Sequence, residues 1–171
     1  MRQVTVDELK EAFTEQSEAM AEAGADAVTM MDLAEAQAAV SATRETGLPM
    51  AACMVFTAGK DKDRTMMGDT SEKVAEQLAA AGADVIGSNC GQGIEGFIPI
   101  CRRMRAVSEL PLWMKANAGR HTVSKGAATY DATPDQFARF VPKLIKAGAD
   151  FVGGCCGTNP EYIAAVAAKI G

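Results

Sequence analysis

What this chain lacks narrows what it can be. Its 171 residues contain no apolar run approaching the roughly 18 residues of a membrane-spanning helix. No basic run stands out and the net charge is −5, which argues against a nucleic-acid or anionic-membrane surface. Residues 1–20 mix acids and bases among their apolar positions, so a secretory leader is not expected. Aromatics are only 5% of the chain against ten Met, and the composition suggests a cytoplasmic protein. There is no Cys-x-x-Cys, which disfavours a dithiol redox protein. Five cysteines, an odd number, without an export signal argue against a disulfide framework and point to metal or thiol chemistry.

A repeat is the most visible thing present. Ala23-Gly24-Ala25-Asp26 returns as Ala81-Gly82-Ala83-Asp84 and again as Ala147-Gly148-Ala149-Asp150, each ending a helical pattern and leading into a short apolar run. Between the copies, two further strand candidates open on Leu48-Pro49 and Leu110-Pro111. Helix and strand alternate five times, with a final helix. Strands separated by helices cannot pair as hairpins, so the sheet is expected to be parallel. Capping boxes mark helix starts at Thr5-Val6-Asp7-Glu8 and at Thr133-Pro134-Asp135-Gln136, the latter with Pro at the first helical position. Ile94, Phe97, Ile98, Cys101, Met104 and Val107 form an apolar stripe. Asp69 to Glu72 is read as the opening of another helix, with Val74, Leu78 and Ala81 in register. Two long polar connections, 57–68 and 118–132, follow strand ends, where parallel α/β folds place their sites. One domain over 1–171 accounts for the whole pattern.

Three cysteines sit at the ends of two of these strands. Cys90 lies in Gly87-Ser88-Asn89-Cys90-Gly91, and Cys155 and Cys156 lie in Gly153-Gly154-Cys155-Cys156-Gly157-Thr158. Parallel strands put their C-terminal ends on one face, so sulfurs far apart in sequence can converge there. Neighbouring residues on a regular strand point to opposite faces, but a chain leaving through glycine can turn both sulfurs to one ion. Zinc favours tetrahedral thiolate coordination, and three cysteines leave one position for a substrate. The residues alone leave metal binding and buried or redox-active thiols both open. Cys53, on a strand, and Cys101, on the helical stripe, are read as core. His121, the single histidine, is read as a bystander on its loop.

The two cysteine motifs resemble the paired signatures of the zinc-dependent homocysteine S-methyltransferase family. Arg64-Thr65-Met66-Met67-Gly68-Asp69-Thr70 and Lys115-Ala116-Asn117-Ala118-Gly119 also resemble family segments, in the family's order, and look closer to its cobalamin-linked branch. The resemblance implies a partial (β/α)8 TIM barrel of about five strands, the fourth to the eighth. It implies Zn2+ on Cys90, Cys155 and Cys156, with a thiol such as homocysteine at the fourth position and a methyl group delivered by a corrinoid carried on a partner protein. Asn117 and Tyr130 fall where the family lines its site. Asp32 is the nearest carboxylate for a substrate ammonium, and equally a helix cap before Leu33. Lys115 is expected on the same strand face as Asn117.

The family's amino-terminal units have no counterpart here. Five strands cannot close an eight-stranded barrel. A homo-oligomer, a partner subunit supplying the missing strands, or a longer parent chain is therefore expected. Two other readings stay open: a phosphate cradle at the Gly-Gly turn, which Cys155-Cys156 argues against, and a non-catalytic zinc- or thiol-binding half-barrel that completes a partner.

Overall fold

The computed structural model describes residues 4–31, 33–124 and 127–170. Helix α1 (Val6–Glu22) starts at the expected capping box: the Thr5 hydroxyl accepts the Glu8 N–H and the Glu8 carboxylate accepts the Thr5 N–H. Strand β1 (Val28–Met31), α2 (Leu33–Arg44), β2 (Met50–Met54), α3 (Ser71–Ala81), β3 (Val85–Gly93), α4 (Ile94–Val107) and β4 (Leu112–Asn117) then alternate. A two-stranded hairpin, β5 (His121–Ser124) and β6 (Ala127–Tyr130), interrupts the rhythm. Short helices α5 (Pro134–Ala138) and α6 (Val141–Lys146), β7 (Phe151–Gly154) and α7 (Pro160–Ile170) complete the chain.

The main sheet has the order β1-β2-β3-β4-β7, and all four pairings are parallel. It curls into a half-barrel with the helices outside, the expected partial (β/α)8 architecture. One face of each strand packs on the helices. Met50, Ala52, Met54, Ile86, Leu112, Met114 and Ala116 meet Val40, Leu78, Phe97, Ile100, Met104 and Leu144 in a single core. Cys53 and Cys101 are both fully buried, as expected. The concave face carries Trp113 and Phe151, with ring centroids 6.2 Å apart, and Lys115, whose ammonium lies 4.4 Å from the Trp113 ring centre. Phe151 remains 50% exposed, so this hollow is uncovered among the described residues.

The repeat has a structural job at the start of the strands. Asp84, just before β3, accepts the Met50 N–H at 2.8 Å and returns its own N–H to the Met50 carbonyl. Asp150, just before β7, does the same to Leu112. Each aspartate thus fastens the start of the neighbouring strand, at the residue that follows Leu-Pro.

Four expectations change in detail. The helix read from Asp69 begins at Ser71, because Thr70 is the cap: its hydroxyl accepts the Lys73 N–H. Val107, the last residue of α4, leaves the apolar stripe and is 40% exposed, while Ile100, outside the expected stripe, is buried. The helix opened by Thr133 breaks at Arg139 and Phe140 into α5 and α6, with Pro142 in the first turn of α6 lacking the N–H that would continue the ladder. The connection 118–132 is a hairpin rather than a plain loop.

Candidate metal centre

Strand β3 runs straight through Ile86-Gly87-Ser88-Asn89 beside β4 and then loses register between Asn89 and Gly93. The cause is Cys90, a non-glycine residue at φ +58°, followed by Gly91 at +74°. That left-handed step, sparsely populated for side chains larger than Gly, swings the Cys90 sulfur off the strand's alternation. Gly91 is needed beside it: a Cβ there would stand 2.7 Å from Thr57 Cγ2.

Cys155 and Cys156 leave β7 in a turn pinned by β4. The Cys155 N–H donates to the Ala116 carbonyl at 2.8 Å, and the Ala118 N–H donates to the Cys156 carbonyl at 3.0 Å. The Asn117 Oδ1 accepts the Cys156 N–H at 3.2 Å, and the Thr158 hydroxyl donates to the Cys155 carbonyl at 2.7 Å. Gly154 and Gly157 make room, since a Cβ would collide with Thr158 Oγ1 at the first and with the Tyr130 ring at the second, both at 2.2 Å.

The result is a cluster. Cys90 Sγ lies 3.4 Å from Cys156 Sγ, Cys155 Sγ lies 3.9 Å from Cys156 Sγ, and all three sulfurs fall within 4.8 Å of one another. Thiolates about 2.3 Å from a tetrahedral zinc stand about 3.8 Å apart. The donor set and its spacing therefore fit zinc with one position open, and it is the only group of three metal-ligating side chains found among the described residues. The three thiols share protons unequally. Partial burial works against ionising Cys90, but hydrogen bonds from Cys156, the Gly91 N–H, Cys155 and Asn117 outweigh it and hold the Cys90 thiol below its ordinary value. Cys156, as the donor to Cys90, is pushed up to about 11, with burial and the nearby Cys155 charge adding to the effect.

The other expected site residues are placed unequally. Asn117 is 5% exposed and orients the Cys156 backbone. Tyr130 packs its ring over Gly157, and partial burial together with the charge of Cys156 raises its hydroxyl above the ordinary value. Asp32 lies outside the described residues. Lys115 turns across the hollow to the Thr29 hydroxyl at 2.9 Å, with no acidic partner among the described residues. His121 stands exposed on β5 beside Tyr130, with ring centroids 6.2 Å apart. The sequence reading missed the hairpin that delivers Tyr130. Its signal was available in the β-branched and aromatic residues Thr122, Val123, Thr129 and Tyr130 flanking Lys125-Gly126. A groove of about 470 Å³ is lined by Ile94, Arg120, Asp131 and Phe137 but by none of the cysteines.

The profile of the family described as homocysteine S-methyltransferase matches residues 1–170. The chain belongs to the homocysteine S-methyltransferase family. It is 30% identical over 172 residues to methionine synthase from Mycobacterium leprae (strain TN) and 29% identical over 169 residues to methionine synthase from Mycobacterium tuberculosis (strain ATCC 25618 / H37Rv). Each alignment covers 95% of this chain and 14% of the relative. The fold of the homocysteine methyltransferase MmuM from Escherichia coli, in its apo form, superposes with a TM-score of 0.77 at 23% identity, covering 98% of this chain and 58% of that one. The metallated form of MmuM gives 0.74 at 24% identity. This chain thus spans a small part of the methionine synthases and just over half of MmuM.

Proposed function

We propose that this homocysteine S-methyltransferase family member is a zinc-bearing half-barrel that prepares a thiol, homocysteine, for methylation by a methyl-corrinoid carried on a partner protein. The convergence of Cys90, Cys155 and Cys156 within 4.8 Å carries the reading. When bound, zinc would lower the pKa of a coordinated substrate thiol toward neutrality. The chain's own residues do the rest. The three cysteines hold the ion from two strands, and the Asn117 carboxamide fixes the turn that carries Cys156. Tyr130 closes the side of the cluster beneath the hairpin. Asn117, Tyr130 and Asp32 are assigned to the substrate side, residues 1–171 to a single domain, and the protein to the cytoplasm. The likeness to methionine synthases supports a corrinoid donor.

A second reading has its own support. The sheet ends in two open edges, β1 and β7, and its hollow is uncovered among the described residues. Further strands there could come from a longer parent chain, a partner subunit or a further copy, and the alternative is a non-catalytic zinc- or thiol-binding half-barrel that completes or regulates a partner. Two measurements decide. Purified protein is expected to carry about one zinc per chain. Methyl transfer from methylcobalamin to homocysteine is then assayed with the chain alone and with candidate partners. Turnover supports the enzyme, whereas full zinc without turnover in any combination supports the binding role. Absence of zinc removes both.

A further inference from the structure

Lys115 is a charged side chain in the hollow that the zinc chemistry leaves without a role. It alternates on β4 with Met114 and Ala116, which face the helices, so its own side chain faces the concave side. Its surroundings among the described residues are neutral. The ammonium donates to the Thr29 hydroxyl at 2.9 Å and stands 4.4 Å from the Trp113 ring centre. A third neighbour is Cys53. Burial pushes that thiol up, against the charge of Lys115 and hydrogen bonds with Lys115 and Thr29. A hydroxyl, an indole face and a neutral thiol orient the ammonium without neutralising it. Of its three N–H donors at least one remains for a guest.

The lysine also lies in line with the sulfurs. In the sheet register Lys115 stands opposite Asn89 of β3 and Gly153 of β7. Cys90 is the next residue after Asn89, and Cys155 is the second after Gly153. At about 3.3 Å per residue, the ligand backbones therefore start roughly 3 to 7 Å beyond the lysine's row. The row itself is kept clear. Gly153 places no side chain between Lys115 and β7, and a Cβ there would stand 3.2 Å from Trp113 Nε1 and 3.6 Å from Lys115 Cγ. The charge of Cys155 is felt at Cys53, so the sulfur cluster and the lysine act on one common neighbour. A thiol at the open metal position thus has a cation within one small molecule's length. Homocysteine, extended, puts its carboxylate about 6 Å from its sulfur.

We propose that Lys115 is a specificity-determining residue for the thiol: its ammonium receives the substrate's carboxylate and so selects mercapto-acids over thiols that carry no anionic group. This rests on the zinc reading and narrows it from a thiol to an acidic thiol. A carboxylate in that place gains a charge-assisted hydrogen bond in a partly buried setting, where such bonds are strong. It also supplies the opposite charge that Thr29, Trp113 and Cys53 do not.

The test uses residues 1–171 loaded with Co2+, whose visible spectrum reports its thiolate ligands, so that binding is read without turnover. Three related thiols are titrated: homocysteine, 4-mercaptobutyrate, which lacks the ammonium, and 3-aminopropane-1-thiol, which lacks the carboxylate. The two acids are expected to bind at least about tenfold more tightly than the amine. Lys115→Met, which keeps an apolar stem beside Trp113, is expected to hold cobalt as the unsubstituted chain does and to lose that preference. Lys115→Arg should keep most of it. Equal affinity of the unsubstituted chain for all three thiols, a preference unchanged in Lys115→Met, or cobalt uptake with no response to any thiol would overturn the proposal and leave the metal centre standing. Failure to take up cobalt would remove the centre and the proposal together.

Discussion

At the N-terminal rim of the sheet, Asp84 and Asp150 repeat one hydrogen-bonding pattern almost atom for atom. At the C-terminal rim the same strands, β3 and β7, end in turns that do not resemble each other: a left-handed cysteine in one and a Cys-Cys turn tied to β4 in the other. The repeat is kept where the strands begin and abandoned where they end. Regularity at the first rim fixes strand spacing and register, and irregularity at the second turns three sulfurs off the pleat toward one point. In barrels of this kind the two rims divide stability from chemistry in the same way.

Substitutions can break that division in either direction. The largest effect is expected at the sulfur rim: Cys90→Ser or Cys156→Ser should abolish zinc retention, measured by metal analysis after dialysis, while the secondary structure stays intact. Next is Gly87→Ala. A Cβ there would stand 1.9 Å from the Trp113 carbonyl in the middle of the sheet, and about 3 kcal/mol of destabilisation is expected in urea unfolding. At the opposite rim, Asp150→Ala should cost about 2 kcal/mol, because it strands the Leu112 amide and frees Arg105, and Asp84→Ala about 1 kcal/mol. Asp26→Ala, with nothing to fasten among the described residues, should stay within about 0.5 kcal/mol in the isolated chain. If all three aspartates proved equal, these hydrogen bonds would not be what holds the strands.

Two smaller effects sharpen the picture. Asn117→Ala should lower zinc affinity about tenfold in a competition titration and leave the urea midpoint nearly unchanged, because Asn117 supports a ligand rather than the sheet. Burial pushes the Cys101 thiol up from 9.0 to about 12, so the fold favours its neutral form. The associated stability is fully present below pH 9 and is lost as pH rises from 9 toward 12. Thermal melts at pH 8 and 10.5 should show the fall, and Cys101→Ala should reduce it, the remainder coming from Cys53, whose thiol burial also raises.

Much of this was legible in the residues. The helix–strand alternation, the parallel sheet and the capping boxes follow from periodicity and local hydrogen-bonding chemistry, which the chain carries in short windows. The convergence of Cys90 with Cys155 and Cys156 was legible because parallel strands must end on a common side. The hairpin was missed because Thr122 and Thr129 sit in a stretch whose polarity reads as loop, although their hydroxyls meet across the two strands at 2.9 Å. The split between α5 and α6 was hidden because Phe137, Val141 and Leu144 keep the i, i+4, i+7 spacing of one helical face, while the break at Arg139 and Phe140 comes just before Pro142. The role of the repeated aspartates was invisible in sequence, since each acts on a residue 34 or 38 positions away.

Among the described residues, the hollow of the half-barrel carries one cation. Lys115 arches over it from β4 to Thr29, resting on the indole and touching no acid among the described residues. Any tenant of that space, whether strand side chains or a small molecule, meets an ammonium that must keep an oxygen within reach as water leaves. A wholly aliphatic filling would strand that charge, so the hollow selects for a guest that brings at least one acceptor with it.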